Sequence, residues 1–250
     1  MAGASGFLGT RLTDRLRGAG HDITRLVRRP AQQADEATWE PSVGQLDPAD
    51  RPRILLNASA VGWYGDTGDR KVTEEAPAGS GFLADVCRVW EAAARPAEDA
   101  GTRVVLLRTG LPLDSDGCVL KPQMLPFRLG VGGKLGNGRQ WVPWIAMADW
   151  LRAVEFLLDT DVAGPVNIVG PEPVTNAAFT EVFGRLLHRP TVMPIPAFAL
   201  QVALGEFAGE ALRSQRVLPA ALSKAGFTWN HPTLESAMRA ALAPEPSAAR

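Results

Sequence analysis

A glycine-rich turn directly before an amphipathic helix constrains this chain more than any other feature. The segment is Gly3-Ala4-Ser5-Gly6-Phe7-Leu8-Gly9, and leucines at positions 8, 12 and 16 continue it at helical spacing. Glycine has no Cβ, so its backbone can turn tightly and lie against a phosphate, to which the helix start presents free N–H groups and its positive dipole end. The pattern predicts a dinucleotide phosphate-binding turn, with a turn that binds no ligand as the alternative. The residues assigned to the cofactor here are Gly3, Ser5, Gly6, Phe7, Leu8 and Gly9.

Two arginines follow a second predicted strand, residues 21–28. In dinucleotide-binding folds the end of this strand meets the adenine ribose, and an acidic residue there favours NAD by accepting hydrogen bonds from the 2′-hydroxyl. This chain has Arg28 and Arg29 instead, and guanidinium groups suit a 2′-phosphate. The pair favours NADP over NAD, and the alternative is a strand end whose charges are simply solvated.

Length and composition exclude several classes of protein. The chain has 250 residues, 46% of them hydrophobic, and a formal net charge of −1. This length suits one large α/β domain, or one domain with an appendage. The near-neutral charge offers no general attraction for nucleic acid or a membrane surface, and no apolar stretch is long enough to cross a bilayer. Two isolated cysteines and three scattered histidines lack metal-ligand spacing. We therefore expect a reduced cytoplasmic protein without a metal, nucleic-acid or membrane partner.

Short apolar runs alternate with helical patterns along the rest of the chain. This alternation predicts an α/β fold with a parallel sheet, whose ligands bind at the carboxyl edge of the strands. Predicted strands cover residues 53–60, 102–109 and 165–169. Predicted helices cover residues 82–100, 149–158, 176–187, 197–213 and 218–225, and predicted loops cover residues 30–52, 61–69 and 129–140. One face of the helix 82–100 is predicted to carry Val86, Val89, Trp90 and Ala93.

Several motifs resemble the extended or atypical short-chain dehydrogenase/reductases, and more narrowly the bacterial "epimerase family protein" group. Besides the glycine turn, they are residues 58–70, Trp90-Glu91-Ala92-Ala93, Leu107-Arg108-Thr109-Gly110, residues 136–141 with Trp144-Ile145, residues 173–176 and residues 215–219. The resemblance covers nearly the whole chain. It implies a Rossmann-type parallel sheet with helices on both faces, bound NADP(H) and a small, mostly helical C-terminal substrate domain. The implied domains are residues 1–112 and 150–170 for NADP, residues 113–149 and 171–243 for the substrate-binding cap, and residues 244–250 as a tail.

The chain departs from the family pattern in its strands. Only Met1 and Ala2 precede the glycine turn, where the family has a strand whose four or five buried side chains would each contribute roughly 1.5–3 kcal/mol. Between Asp50 and Arg53 the family carries a further strand, a helix and another strand. We expect the physical protein to include both segments, and the alternative is a sheet that is incomplete.

The chain also departs from the family in its catalytic groups. The usual Tyr-x-x-x-Lys pair is missing, because the only tyrosine is Tyr64 and Gly68 stands four residues after it. Ala146 occupies the position of a family histidine, although Asp149 remains. Ordinary short-chain dehydrogenase chemistry, in which a phenol transfers a proton, is therefore in doubt.

Three residues are candidates for catalysis. Ser59 ends a predicted central strand and could hydrogen-bond a substrate oxygen, or it could be a small residue that packs against the cofactor. Tyr64 is the only phenol and could donate a proton, although anchoring the loop is the commoner role for such a residue. Asp85 could face the cleft from the helix 82–100, with a solvated carboxylate as the alternative. Further cofactor contacts are assigned to the strand-end residues Ala58, Thr109 and Leu111.

The substrate is predicted to meet a polar and aromatic cluster after the glycine-rich loop. The cluster suits a planar or phosphorylated ligand, and a packed domain junction is the alternative. Its members are Arg139, Gln140, Trp141 and Trp144.

These features together predict an NADP(H)-dependent oxidoreductase or epimerase that acts on a small carbonyl or nucleotide-sugar substrate. The missing Tyr–Lys pair counts more against epimerisation, which needs reversible deprotonation of a carbinol. The alternative is a catalytically silent NADP-binding sensor or scaffold, since some relatives in the group are labelled as related to cell division. A homodimer is left open.

Overall fold

The computed structural model describes residues 1–39, 52–117, 119–191, 194–196, 202, 205 and 208–243. The chain divides into two compact units, Met1–Arg53 and Ile54–Arg250. The predicted tail at 244–250, most of the predicted helix at 197–213 and Cys118 lie outside the described residues. Cys87 is buried and free. No helix in the described part of the chain is long and apolar enough to span a membrane.

The first unit contains the glycine turn, helix α1 (Phe7–Gly18) and two short parallel strands, β1 (Arg25–Val27) and β2 (Glu36–Thr38). Leu26 in β1 pairs with Ala37 of β2 and also forms an isolated parallel bridge with Ala2. The predicted helix and second strand are confirmed, although β1 is shorter than residues 21–28. The prediction of loop across residues 30–52 is wrong at β2, and residues 40–51 lie outside the described part.

Strand β2 escaped prediction because the segment Glu36–Thr38 carries no apolar run or alternation. Ion pairs between side chains accompany the pairing of β2 with β1. Arg25 pairs with Asp35 at 2.7 Å and with Glu36 at 3.4 Å, next to the register contact between Arg25 and Glu36. Ion pairs between positions distant in the sequence leave no local pattern.

The second unit is built on a three-stranded parallel sheet in the order β3–β4–β8. Its strands are β3 (Ile54–Ala60), β4 (Arg103–Thr109) and β8 (Gly164–Ile168), and all three confirm predicted strands within one residue or two. Four short strands form two further pairs: β5 (Leu111–Leu113) with β7 (Trp144–Ala146), and β6 (Trp141–Val142) with β9 (Val174–Thr175). The α/β class and the parallel strands are as predicted.

The helices of the second unit are α2 (Phe82–Ala92), α3 (Arg95–Asp99), α4 (Lys121–Arg128), α5 (Met147–Leu158), α6 (Asn176–Leu186), α7 (Ala208–Ala211), α8 (Ala220–Lys224) and α9 (Leu234–Leu242). Helix α9 packs on β5 and β7, and α6 packs on α9, β6 and β9. The core between them includes Leu113, Trp144, Phe183 and Met238. Helix α9 begins with a capping box between Thr233 and Ser236.

Three local predictions differ from the structure. The helix predicted at 82–100 is two helices, and the loop after β3 begins with a 3-10 helix, Val61–Tyr64. The predicted apolar face of α2 points to solvent, since Val89 is 69% and Trp90 48% exposed. The buried face of α2 carries Ala84, Cys87 and Glu91 instead.

Candidate functional site

The glycine turn has the geometry that a phosphate-binding loop needs. Gly3 has a φ of +72°, and a Cβ added to Gly9 would lie 2.0 Å from the Gly3 carbonyl oxygen. The Gly6 N–H donates to that same oxygen at 3.1 Å. The N-cap of α1 is Gly6, which has no side chain that could accept a hydrogen bond from the first turn of the helix. The first N–H groups of α1 are therefore available to an anion.

One cavity of about 750 Å³ joins this turn to the ends of β1 and β2. We call it the glycine-turn cavity, and all of its lining belongs to the unit Met1–Arg53. Four residues predicted to contact the cofactor share the lining, namely Gly3, Ser5, Arg28 and Arg29. The structure thus brings the start of the glycine turn, Gly3 to Ser5, and two guanidinium groups to one cavity.

The two arginines of this cavity have different electrostatic surroundings. Arg29 makes two hydrogen bonds to Glu36, at 2.8 and 2.7 Å. The Glu36 side chain is 1% exposed, and hydrogen bonding from Arg29 helps to lower its pKa to about 2. Arg28 has no hydrogen bond or ion pair with any residue that the structure describes. The free positive charge at the cavity is therefore that of Arg28.

In the second unit, Ser59 lies near the carboxyl end of β3 and is only 5% exposed. Its hydroxyl donates to Glu91 Oε1 at 2.7 Å. Arg108, on the neighbouring strand β4, donates to the same carboxylate from Nε and Nη2, both at 2.9 Å. Burial acts most strongly, to lower the pKa of Arg108, but the hydrogen bonds and charges of Glu91 and Tyr64 together outweigh it and raise the pKa. The arrangement is a buried, two-point ion pair that holds the serine hydroxyl.

Tyr64 extends this network to strand β8. Its hydroxyl accepts a hydrogen bond from Arg108 at 3.0 Å and donates to Asn167 Oδ1 at 2.7 Å. The residue is 2% exposed, and burial raises the pKa of its phenol. The guanidinium of Arg108 also lies over the Trp63 ring, 4.1 Å from its centre. These contacts suit an anchoring role, and catalysis by Ser59 or Tyr64 stays a prediction.

The other residues predicted to act at strand ends occupy varied positions. Asp85 is exposed on α2 and pairs with Arg88, so its catalytic role also stays a prediction. Ala58 is exposed on β3. Thr109 ends β4 and accepts a hydrogen bond from Trp150 Nε1 at 3.2 Å. The Leu111 N–H donates to the Pro143 carbonyl at 2.7 Å.

A second cavity, of about 460 Å³, contains two of the predicted substrate-binding residues. We call it the polar cavity, and its lining is Asp66, Gly68, Asp69, Gly136, Asn137, Arg139, Gln140, Leu212 and Ser214. Trp141 borders it by donating from Nε1 to Asp69 at 2.9 Å. Trp144, the fourth residue of the predicted cluster, is 1% exposed in the hydrophobic core and donates to the Glu172 carbonyl. The structure therefore separates Trp144 from the other three.

Sequence reasoning missed the buried polar residues that organise this unit. Glu91, Arg108 and Asn167 are 7%, 3% and 0% exposed. A signal was present at Arg108, because an arginine within an apolar run predicted to be a buried strand needs a partner of opposite charge. The described residues contain no group of three or more side chains suited to holding a metal ion.

Comparisons with known proteins agree with this architecture. A family model described as a domain of unknown function, DUF1731, matches residues 195–241. The "epimerase family protein Mb2239" of Mycobacterium bovis is 41% identical over 286 aligned positions, which cover 95% of each chain. Because the alignment is longer than this chain of 250 residues, the relative carries internal residues that have no counterpart here.

Two solved structures are also similar. Human epimerase family protein SDR39U1 (isoform 2), solved with NADPH, is 28% identical with a TM-score of 0.85, and the match covers 96% of this chain and 97% of the human one. A nucleoside-diphosphate sugar epimerase from Corynebacterium glutamicum is 32% identical with a TM-score of 0.76, over 95% of this chain and 56% of that one. On its identity to the M. bovis protein along nearly the full length, this chain belongs to the epimerase family proteins, an atypical short-chain dehydrogenase/reductase group with a Rossmann-type fold.

Proposed function

We propose that this chain binds NADP(H) in the glycine-turn cavity. The observation that carries the proposal is the presence, in one cavity, of the start of the glycine turn, Gly3 to Ser5, and of Arg28, which has no partner among the described residues. A cofactor pyrophosphate would accept hydrogen bonds from the first N–H groups of α1. The space beside Gly3 is open, and the absence of a side chain at Gly9 lets the Gly3 carbonyl pack against the helix. The human relative that was solved with NADPH supports the same choice of cofactor.

Within the cavity, Arg28 would contact the 2′-phosphate that distinguishes NADP from NAD. Its guanidinium can form charge-assisted hydrogen bonds with a phosphate. Arg29 would contribute less, because Glu36 already neutralises its charge and holds its position. The preference for NADP over NAD is therefore assigned to Arg28.

We further propose an oxidoreductase or epimerase reaction on a small carbonyl or carbinol substrate. The bound nicotinamide supplies hydride transfer, and the chain's own residues bind and orient the substrate. Ser59 and Thr109 are the candidates nearest to the carboxyl edge of the sheet. Thr109 is the last residue of β4 and pairs with Ala60, the last residue of β3, while Ser59 pairs with Arg108 one position earlier. Ligands of open parallel sheets bind at this edge.

One observation favours the second candidate, a cofactor-binding sensor or scaffold without turnover. The hydroxyl of Ser59 is committed to Glu91, and that of Tyr64 to Asn167 and Arg108. Both side chains are at least nine-tenths buried. A proton donor with such partners would have to exchange a buried hydrogen bond for one to the substrate.

The two candidates differ in turnover, which can be measured with the full chain. NADPH binding is followed by the quenching of tryptophan fluorescence. Oxidation of NADPH is followed by its absorbance with aldehydes, ketones and sugar nucleotides, and sugar products are analysed for inversion. An enzyme gives turnover that Ser59→Ala abolishes and that the exposed control Ser80→Ala preserves. Binding without turnover across the panel favours the sensor, and the absence of NADPH binding contradicts both.

A further inference from the structure

The polar cavity presents hydrogen-bond donors that have no partner among the described residues. Its lining includes Arg139, whose guanidinium forms no hydrogen bond or ion pair with the residues that the structure describes. The adjacent Asn137 accepts from the Arg139 N–H at 2.9 Å through Oδ1, which leaves its Nδ2 group as a second donor. An anionic group on a ligand would satisfy both.

The same cavity also presents acceptors. Gln140 is only 8% exposed, and its Nε2 donates to the Leu135 carbonyl at 3.1 Å. Its Oε1 accepts nothing from the part of the chain that is described and is not among the buried atoms that lack a partner, so a ligand can reach it. One carboxylate oxygen of Asp66 accepts from the Gly68 N–H at 2.9 Å, and one of Asp69 accepts from Trp141 Nε1 at 2.9 Å. Hydroxyl groups on a ligand would satisfy the remaining oxygens.

The walls of the cavity are held in place before any ligand arrives. The Ser214 hydroxyl donates to the Gly68 carbonyl at 2.6 Å and accepts from the Trp141 N–H at 3.1 Å. The Thr67 N–H donates to the Ser214 carbonyl at 2.7 Å. These contacts join three segments that are far apart in the sequence. A site fixed in this way loses little conformational entropy on binding.

The described lining is unsuited to a nucleobase. Leu212 is the only apolar side chain in this lining, and none of the lining residues is aromatic. The nearest ring, that of Trp141, lies under the Arg216 guanidinium at 3.9 Å from its centre. Proteins generally recognise a base by stacking it on an aromatic or guanidinium plane, and the only such plane in the described lining is that of Arg139, which the anionic group of a ligand would occupy. The described lining also offers one cation without a protein partner, Arg139, whereas the diphosphate of a nucleotide sugar carries two negative charges.

We propose that the polar cavity binds a small polyhydroxylated molecule with one carboxylate or phosphate group and no nucleotide. Arg139 and Asn137 hold the anionic group, and Asp66, Asp69 and Gln140 accept hydrogen bonds from the hydroxyls. A volume of about 460 Å³ lies within the range of small-molecule sites. This inference rests on the proposed function, because the molecule bound here is its substrate.

The test is ligand-observed NMR on the full chain, with D-gluconate, glucose 6-phosphate, D-sorbitol and UDP-glucose as probes. We expect gluconate or glucose 6-phosphate to bind, and the better of the two identifies the anionic group. Sorbitol, which has no charge, should bind at least tenfold more weakly. Arg139→Ala should lower the affinity of the bound anion about tenfold, the effect of losing a charge-assisted hydrogen bond.

The matched control is Arg128→Ala, since Arg128 is exposed and lies outside the lining. Equal effects of the Arg139 and Arg128 variants, equal binding of sorbitol and gluconate, tighter binding of UDP-glucose, or no binding by any probe would each overturn the proposal. NADPH binding is measured separately on every variant. A chain that binds NADPH but none of these probes contradicts the cavity assignment and leaves the cofactor proposal standing.

Discussion

Arg108 and Glu91 form a two-point ion pair inside the second unit, with both nitrogen–oxygen distances at 2.9 Å. The two side chains are 4% and 7% exposed. The pair links β4 to α2, holds the hydroxyl of Ser59 and lies beside Tyr64. Two of the three candidates for catalysis, Ser59 and Tyr64, are therefore part of this buried network.

Removing one partner of this pair should destabilise the protein strongly. Glu91→Ala leaves the Arg108 cation buried without its counter-ion, which typically costs about 3–5 kcal/mol. Ser59→Ala removes one neutral donor to the carboxylate and should cost about 1 kcal/mol. Urea unfolding followed by circular dichroism measures both. The exposed Glu98→Ala is the control, with a change within about 0.5 kcal/mol, and a similarly small effect of Glu91→Ala would show that the pair is dispensable.

Arg28 should determine the preference for NADP. We expect Arg28→Ala to lower the affinity for NADPH about tenfold, because a charge-assisted hydrogen bond to the 2′-phosphate is lost. The affinity for NADH, which lacks that phosphate, should stay the same. Arg29→Ala should have a smaller effect on NADPH, since Arg29 is paired with Glu36. Fluorescence titration measures all three affinities, and a larger loss in the Arg29 variant would reverse the assignment.

The glycine at position 9 should be essential for the turn. A Cβ there would lie 2.0 Å from the Gly3 carbonyl oxygen, so Gly9→Ala must displace the backbone. We expect a loss of about 1–3 kcal/mol in stability and at least a tenfold loss in NADPH affinity. Gly18→Ala is the matched control in the same helix, since a Cβ there meets nothing within 4 Å. If both variants bind NADPH like the unmodified chain, the turn does not hold the cofactor.

Glu36 should titrate far below an ordinary glutamate. Its pKa is lowered from 4.5 to about 2, first by hydrogen bonding from Arg29 and next by the Gln32 N–H. Because the folded pKa is the lower one, the stability that this carboxylate contributes is complete above about pH 4.5 and is lost as the pH falls towards 2. The amide chemical shift of Gln32, which donates to Glu36 at 2.9 Å, reports the titration. We expect a midpoint near the lower value and no such titration in Glu36→Gln; a midpoint near 4.5 would contradict the pairing.

The sequence predicts those parts of the fold that local patterns encode. The run Ile54–Ala60 is short and largely apolar, which is typical of a buried parallel strand. The Gly3–Gly9 turn predicts both the start of a helix and a phosphate site. The distance of Arg28 and Arg29 from that turn predicts that they lie near the adenine ribose of a cofactor. Their unequal pairing could not be predicted, because it depends on Glu36 in a strand with no recognisable pattern.

Other features depend on contacts between distant segments. The apolar stripe of α2 indicates a helix but not which face is covered, and in the structure Val89 and Trp90 are exposed while Glu91 is buried. Glu91 is buried because Arg108, in the next strand, requires a counter-ion. The polar cavity likewise combines residues near positions 66, 139 and 214, and only the folded chain shows that Asp66 and Asp69 face the same space as Arg139.

The most direct test of the central claim is a crystal structure of the full chain grown with NADPH. The account predicts that the pyrophosphate lies against the backbone N–H groups that follow Gly3, and that the 2′-phosphate lies about 3 Å from the Arg28 guanidinium. A cofactor bound elsewhere, a 2′-phosphate that contacts Arg29 and not Arg28, or a cavity without NADPH at saturating concentration would contradict it.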